Sequence, residues 1–138
     1  MRSCGMVLLA CLCAATAAGC GSSQAAGPDT VPLSGKVVFA KGGKSVASLN
    51  SRSAKVELLS IDHPNVRAYG AIEEDGSFTM ATRFEESGKP GVVPGKHRVR
   101  LGLDDNATHL VAPKFLSFEQ SGITVTAPSE QPVEIKVW

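Results

Sequence analysis

The chain has 138 residues, of which 43% are hydrophobic and 20% charged, and its formal net charge is +1. That length supports one folded domain. The composition excludes both a disordered polymer and a protein with several membrane spans. All four cysteines lie at or before position 20, and they are Cys4, Cys11, Cys13 and Cys20.

Residues 1–19 have the pattern of a secretory signal peptide. Arg2 supplies the positive charge, and residues 6–18 form a 13-residue apolar stretch that ends in small side chains. A membrane-spanning helix needs about 20 apolar residues, so this stretch is too short to remain as an anchor. A buried core helix is the alternative, but the stretch has neither a helix cap nor a polar face.

The segment Ala17-Ala18-Gly19-Cys20 resembles the lipobox of bacterial lipoproteins. In that family the signal peptide is cut directly before the cysteine, here between Gly19 and Cys20, and the cysteine thiol carries the lipid. Ala17 departs from the family pattern, in which leucine is commonest at that position. A second candidate, Cys11, would leave too short an apolar run before the cut. The resemblance therefore implies that Cys20 is the lipid attachment site and that the chain contacts a membrane through it.

A lipoprotein carries three acyl chains. Two or more such chains keep a protein stably bound to a membrane, because each buried methylene contributes about 0.8 kcal/mol. Residues 20–30 then form the lipidated cysteine and a flexible tether rich in Gly, Ser and Ala. By resemblance to lipoprotein sorting, Gly21 in place of aspartate favours the outer membrane of a bacterial cell envelope. The predicted mature chain has no remaining free thiol, which excludes a disulfide. Loss of Arg2 leaves 13 basic and 13 acidic side chains, a balance that argues against nucleic acid as a partner.

Residues 31–138 predict an all-β domain, because apolar and polar side chains alternate with period two in several short segments. Asp75-Gly76 predicts a tight hairpin turn, residues 89–95 a loop, and the polar residues 41–53 an irregular, mobile loop. Seven short strands favour an antiparallel sandwich. The predicted strands are residues 33–39, 55–58, 67–72, 77–82, 96–103, 123–126 and 133–137.

An ordered set of short motifs resembles the carboxypeptidase regulatory-like domain of small single-domain bacterial lipoproteins. The resemblance implies a prealbumin-like (transthyretin-like) Greek-key sandwich of about seven strands over residues 31–138. No catalytic zinc site is carried over with it, because the family name refers only to enzymes that this fold accompanies. The matching motifs are Leu33-Ser34-Gly35-Lys36-Val37, Glu74-Asp75-Gly76-Ser77-Phe78-Thr79-Met80, Val93-Pro94-Gly95-Lys96-His97-Arg98-Val99, Pro113-Lys114-Phe115, Ser121-Gly122-Ile123-Thr124-Val125 and Pro132-Val133-Glu134-Ile135-Lys136-Val137.

No pattern of catalytic or metal-binding residues is apparent, so no cofactor is expected. The histidines lie in separate segments without metal-ligand spacing, and they are His63, His97 and His109. A nucleophile elbow of the type G-x-S-x-G does not occur. The acidic groups lack the alternate spacing of a calcium loop, although weak calcium binding at the last of them stays open. These groups are Glu73-Glu74-Asp75, expected at a solvated hairpin tip, Glu85-Glu86, and Asp104-Asp105-Asn106.

Two features are candidates for binding. Lys96, Arg98 and Arg100 line one face of the clearest predicted strand. They form either a patch for lipid headgroups or acidic polysaccharide, or a solvated sheet face with acids nearby. Trp138 either stacks on a sugar ring or a partner, or closes one edge of the sheet.

The expected function is a lipid-anchored, non-enzymatic binding or scaffold module on the periplasmic side or surface of a bacterial envelope. Its expected partners are the membrane, through the lipid, and an envelope protein or polysaccharide. Two alternatives remain open. One is a small envelope hydrolase or metal-dependent enzyme, and the other is an abundant structural lipoprotein.

Overall fold

The computed structural model describes residues 27–41, 44–84 and 87–138, without the side chain of Ser87. The predicted cleavage site between Gly19 and Cys20 lies outside the described residues, as do Glu85 and Glu86 and most of the predicted tether. The described part of the chain is mostly β, with 44% of its residues in strands and 13% in helices. No helix in the described part is long and apolar enough to cross a membrane.

Nine strands form in the described residues. They are β1 (Ser34–Phe39), β2 (Lys55–Ser60), β3 (Arg67–Ala71), β4 (Ser77–Thr79), β5 (Ala81–Phe84), β6 (Ser87–Pro90), β7 (Gly95–Gly102), β8 (Thr124–Ala127) and β9 (Val133–Val137). The helical elements are a one-turn helix, α1 (Ala47–Asn50), and two 3-10 helices, Asp105–Leu110 and Pro113–Leu116.

The strands make two sheets, with orders β4-β1-β9 and β6-β5-β3-β2-β7-β8. All strand pairs are antiparallel except β1 with β9, which run parallel with Val37 opposite Ile135. The predicted all-β architecture of two sheets is therefore confirmed, with this parallel pair as a departure from an all-antiparallel sandwich.

The core is filled by the alternate side chains that the sequence pattern predicts. Val37 and Ile135 come from the smaller sheet, and Val56 and Val99 from the larger sheet. Each is at most 1% exposed. Burying such side chains is the main favourable term in the folding of a small domain.

The predicted hairpin at Asp75-Gly76 is wrong, although the turn itself forms. β3 belongs to the larger sheet and β4 to the smaller one, so the turn carries the chain from one sheet to the other. Gly76 has a φ of +87°, which glycine adopts without strain. The predicted strand 77–82 also divides at Met80. β4 pairs with β1, whereas β5 pairs with β3.

Two predicted loops contain ordered structure. Lys89 and Pro90 belong to the edge strand β6, where proline is tolerated because one side of the strand lacks a partner. In residues 41–53, the described part includes α1, whose Leu49 is fully buried. Asn50 Nδ2 also donates to the Ile72 carbonyl at 3.0 Å. The prediction of a mobile loop is therefore wrong for this part.

Candidate functional site

The outer face of the six-stranded sheet carries the basic side chains that the sequence analysis singled out. In β7, His97, Val99 and Leu101 point into the core, while Lys96 and Arg98 are exposed and Arg100 is half-buried. The predicted alternation along this strand is confirmed. It places three cations on one side of the sheet.

The register of the sheet adds further cations to the same face. Leu59 of β2 lies opposite Arg98 of β7 and opposite Arg67 of β3, and Arg67 lies opposite Arg83 of β5. A row of side chains therefore crosses four neighbouring strands, spaced by about 4.8 Å per strand. We call the following six side chains the cationic face: Lys55, Arg67, Arg83, Lys96, Arg98 and Arg100.

Among the described residues, Glu57 and Glu119 accompany these six basic side chains, and Asp104 lines a neighbouring hollow together with Lys55 and Arg100. Glu57 of β2 lies opposite Arg100 on the same side of the sheet. A hydrogen bond from the Ser117 hydroxyl is the main cause of the lowered pKa of Glu119, and the charges of Arg98 and Arg100 nearby lower it further. Residues 20–138 contain equal numbers of basic and acidic side chains, so charge is segregated onto this face.

Glu57 is the buried charge of the site, with 4% of its surface exposed. Arg100 Nε donates to Glu57 Oε2 at 2.6 Å, and Arg100 Nη2 lies 2.6 Å from the same oxygen. Lys55 Nζ is 3.6 Å from Glu57 Oε1. The Phe118 ring covers Arg100, with the guanidinium carbon 4.6 Å from the ring centroid. A buried carboxylate is costly unless it is paired, so Arg100 is committed to Glu57.

Apart from Lys55, the other cations have no carboxylate partner in the described part of the chain, although the Arg67 guanidinium carbon lies 5.8 Å from the centroid of the Phe118 ring. No ion pair joins Arg67, Arg83 or Arg98 to a described acidic residue. Like charges directly opposite each other on adjacent strands are destabilising, as in the case of Arg67 and Arg83. Guanidinium groups bind phosphate and carboxylate through paired hydrogen bonds. The arrangement is therefore suited to holding an anion.

A concavity of about 530 Å³ opens on this face. Its wall includes Lys55, Arg83 and Arg100, with Glu57 as the acid among the lining residues. The Lys55 ammonium lies 5.5 Å from the centroid of the Tyr69 ring, which also lines the concavity. A hollow lined by three cations and one paired acid favours a negatively charged ligand.

An apolar area adjoins the cationic face at the end of β2. Ile61 is 40% exposed and directly follows the strand. Together with Leu59, Pro64 and Arg98 it lines a hollow of about 150 Å³. The cationic face therefore ends in a small exposed hydrophobic surface.

The histidines are placed differently from one another. His63 and His109 are exposed, whereas His97 is 2% exposed in the core. His97 Nε2 is 2.9 Å from the Val93 carbonyl oxygen, and its Nδ1 has no hydrogen-bond partner. Among the described residues, no group of three or more His, Cys, Asp or Glu side chains could hold a metal ion.

Two of the three acidic groups of the sequence analysis lie at exposed turns, and the third, Glu85-Glu86, is outside the described residues. Glu73, Glu74 and Asp75 are exposed at the crossing between the sheets. Asp75 accepts hydrogen bonds from the Ser77 backbone N–H at 2.8 Å and the Ser77 hydroxyl at 2.6 Å, and these bonds lower its pKa. Residues 104–106 are exposed at the start of the first 3-10 helix.

Trp138 packs at the end of the smaller sheet. Its ring meets the Phe115 ring edge to face, with centroids 4.8 Å apart, and Lys114 Nζ lies 3.8 Å from its centroid. The Trp138 carbonyl accepts a hydrogen bond from the Ala112 backbone N–H at 2.8 Å. These contacts favour the edge-closing interpretation, while 42% of the residue stays exposed.

Sequence reasoning missed Glu57, Phe118, Arg67 and Arg83 as members of the site. A charged residue between Val56 and Leu58 looks like any outward position of a strand, because its burial depends on Arg100 and on strands β3 and β7 beside it. The sequence did show that Lys55 and Glu57 are two residues apart in one strand and therefore point to the same, outward side. Their partners could be named only once the register was known.

Comparison with known proteins gives no relative. A scan of family models finds no match to the chain, and searches of curated proteins and solved structures return no significant match.

Proposed function

We propose that the chain is a lipid-anchored, non-enzymatic binding module of a bacterial envelope that holds an anionic envelope component on its cationic face. The observation that carries this proposal is the segregation of charge. Six basic side chains share one sheet face, with Glu57, Glu119 and Asp104 as the nearby acids, although residues 20–138 contain equal numbers of basic and acidic side chains. Because Arg67 and Arg83 oppose each other without a described acidic partner, an anion bound there relieves their repulsion.

The domain that presents this face is proposed to be a prealbumin-like Greek-key sandwich over residues 31–138, similar to the carboxypeptidase regulatory-like domain. The two sheets, the nine short strands and the order of the motifs along the chain support this proposal. In it the sandwich is a rigid platform, and the anionic component is a lipid headgroup, a polysaccharide or an acidic protein of the envelope.

The anchor is proposed to be the lipid on Cys20, after cleavage of the signal peptide 1–19. The lipobox-like residues 17–20 support it, and the Gly- and Ser-rich residues that follow are suited to a tether. Gly21 in place of aspartate supports the outer membrane, with the domain on the periplasmic side or at the cell surface.

Metabolic labelling with a palmitate analogue tests the anchor. Wild type and Cys11→Ser are expected to incorporate the label, whereas Cys20→Ser is expected to lose it. Cys11→Ser is the matched control because it removes a thiol from the signal peptide and leaves the lipobox intact. Retention of the label by Cys20→Ser would contradict the anchor.

Co-purification from detergent-solubilised envelopes tests the binding role. We compare Arg67→Glu/Arg98→Glu with Lys36→Glu/Lys136→Glu, which makes the same charge change on the opposite sheet. The anionic component is expected to be lost with the first pair and retained with the second. Equal recovery with both pairs would contradict the assignment to the cationic face.

A further inference from the structure

We propose that the anionic component is the phospholipid headgroup layer of the membrane that carries the anchor, and that the cationic face lies flat against that layer. This inference rests on the proposed function and names the partner of its binding surface. Four observations carry it: the entry point of the tether, the unpaired cations, the exposed Ile61 and the contrast with the opposite sheet.

The first observation is where the tether meets the domain. Lys89 Nζ donates to the Pro28 carbonyl at 3.0 Å, and the Thr30 hydroxyl donates to the Pro90 carbonyl at 2.7 Å. Residues 28–31 therefore lie beside β6, the edge strand of the same sheet that carries the cationic face. Lys89 lies opposite the buried Thr82, so this contact is on the inner side of β6, and the anchor enters at the edge of the sheet that carries the cationic face.

The length of the tether sets how far the face can be from the bilayer. Six residues lie between Cys20 and Gly27, and the seven Cα-to-Cα steps span at most about 24 Å when fully extended. Four strand spacings separate β6 from β7, which is about 19 Å. The tether thus holds the face within reach of the headgroups, with all six of its cations.

The second observation is the supply of uncommitted cations. Lys96, Arg98 and Arg67 are exposed and have no ion pair with a described acidic residue. Each basic side chain near an anionic membrane surface raises the binding constant by about fivefold. Guanidinium groups also match the geometry of a phosphate. The concavity beside Arg83 is large enough to receive a headgroup.

The third observation separates a membrane from a soluble polyanion. Ile61 is exposed at the end of the same face, beside Leu59 and Pro64. An apolar side chain gains free energy by entering the interface of a bilayer. An acidic polysaccharide has no apolar interior into which Ile61 could insert. The combination of cations and Ile61 therefore favours the lipid surface.

The fourth observation is that the opposite sheet lacks this pattern. The exposed charges of β1 and β9 are Lys36, Glu134 and Lys136, and Lys136 Nζ is 3.1 Å from Glu134 Oε1. Among the described residues, that face has no row of unpaired cations. The exposed Trp138 lies at the end of this sheet, with its ring packed against Phe115 and Lys114. The opposite sheet supplies a matched control.

The test is co-sedimentation of residues 20–138 carrying Cys20→Ser, which removes the anchor and keeps every described residue. The vesicles are equimolar phosphatidylglycerol and phosphatidylcholine, or phosphatidylcholine alone. Binding is expected to be at least about tenfold stronger to the anionic vesicles and to weaken as salt is raised, because salt screens exposed charges. Arg67→Glu/Arg98→Glu is expected to lose at least about tenfold, and Lys36→Glu/Lys136→Glu less than about twofold. Urea unfolding verifies that both variants fold.

A third variant, Ile61→Ser, is expected to weaken binding to anionic vesicles and to leave binding to soluble polygalacturonate unchanged. Absence of vesicle binding, or equal loss with the two charge-reversal pairs, overturns the inference. Binding to polygalacturonate alone, lost with Arg67→Glu/Arg98→Glu, overturns the lipid partner and leaves the proposed function standing. Palmitate label retained by Cys20→Ser refutes the anchor on its own, so the two failures are distinguishable.

Discussion

The Glu57 carboxylate and the Arg100 guanidinium meet across β2 and β7, with Nε and Nη2 of Arg100 both 2.6 Å from Oε2 of Glu57. Phe118 lies over the guanidinium and Lys55 approaches the other carboxylate oxygen. The pair is therefore a structural element at the centre of the cationic face. It leaves Arg67 and Arg98 for a ligand.

Removing one member of this pair should lower the free energy of unfolding, because the other member stays buried without its partner. Arg100→Leu leaves Glu57 buried without its main partner, so we expect a loss of about 2–3 kcal/mol in the free energy of unfolding. Arg98→Leu removes an exposed cation from the same strand and should change stability by less than about 0.5 kcal/mol. Urea unfolding measures both, and equal losses would contradict the structural role of the pair.

Gly35 of β1 has no room for a side chain. An added Cβ would lie 2.5 Å from Phe78 Cζ and closer still to the Val133 carbonyl oxygen of the neighbouring strand. Gly35→Ala should therefore destabilise the domain by about 1–3 kcal/mol through overpacking.

Gly88 of β6 is the matched control, because nothing lies within 4 Å of an added Cβ there. Gly88→Ala should be neutral, or stabilising by about 0.5 kcal/mol through the unfolded state. Thermal unfolding of both variants tests the pairing of β1 with β9. If Gly35→Ala had little effect on thermal stability, β1 and β9 would not be as close as the structure places them.

Leu49 should hold α1 to the core. It is fully buried, so Leu49→Ala should lower the free energy of unfolding by about 2–5 kcal/mol. Ile61→Ala, at a position that is 40% exposed, is the comparison and should cost about 0.5 kcal/mol. If both substitutions lowered the free energy of unfolding by the same small amount in urea, residues 44–53 would not be packed against the core.

Asp75 should titrate below the ordinary range of an aspartate, because the Ser77 hydroxyl and backbone N–H stabilise its charged form. A depressed pKa in the folded state contributes stability above the unfolded pKa, and that contribution is lost as pH falls through the folded pKa. Ser77→Ala should raise the pKa of Asp75 toward its ordinary value and weaken this acid dependence.

Carboxyl NMR titration measures the change at Asp75. Ser117→Ala is the control, since it should raise the pKa of Glu119 through loss of the Ser117 hydroxyl and leave Asp75 unchanged. An Asp75 pKa that does not respond to Ser77→Ala would contradict the turn geometry.

Strand positions and their inward faces could be predicted from the sequence because they depend on local alternation. Val99 and Leu101 are buried where the pattern placed them, and Lys96 and Arg98 point outward. The same local pattern could not show that the chain changes sheets at Met80 or that Asp75-Gly76 joins two sheets. Those features depend on which strands pair, and pairing is set by contacts between residues far apart in the chain.

The candidate site follows the same division. Lys96, Arg98 and Arg100 share one strand, so their common face was visible in the sequence. Arg67 and Arg83 join them only through the register of three other strands. The burial of Glu57 arises from neighbours on both sides, which no single segment contains.

The most direct test of the account is acetylation of lysines on the native, lipidated protein, in its membrane and after release by detergent. Peptide mass spectrometry then compares Lys96, on the cationic face, with Lys36 and Lys136 on the opposite sheet. The account predicts that the membrane protects Lys96 several-fold and leaves Lys36 and Lys136 unchanged. Equal modification of all three in both states, or protection of Lys36 and Lys136 instead, would contradict it.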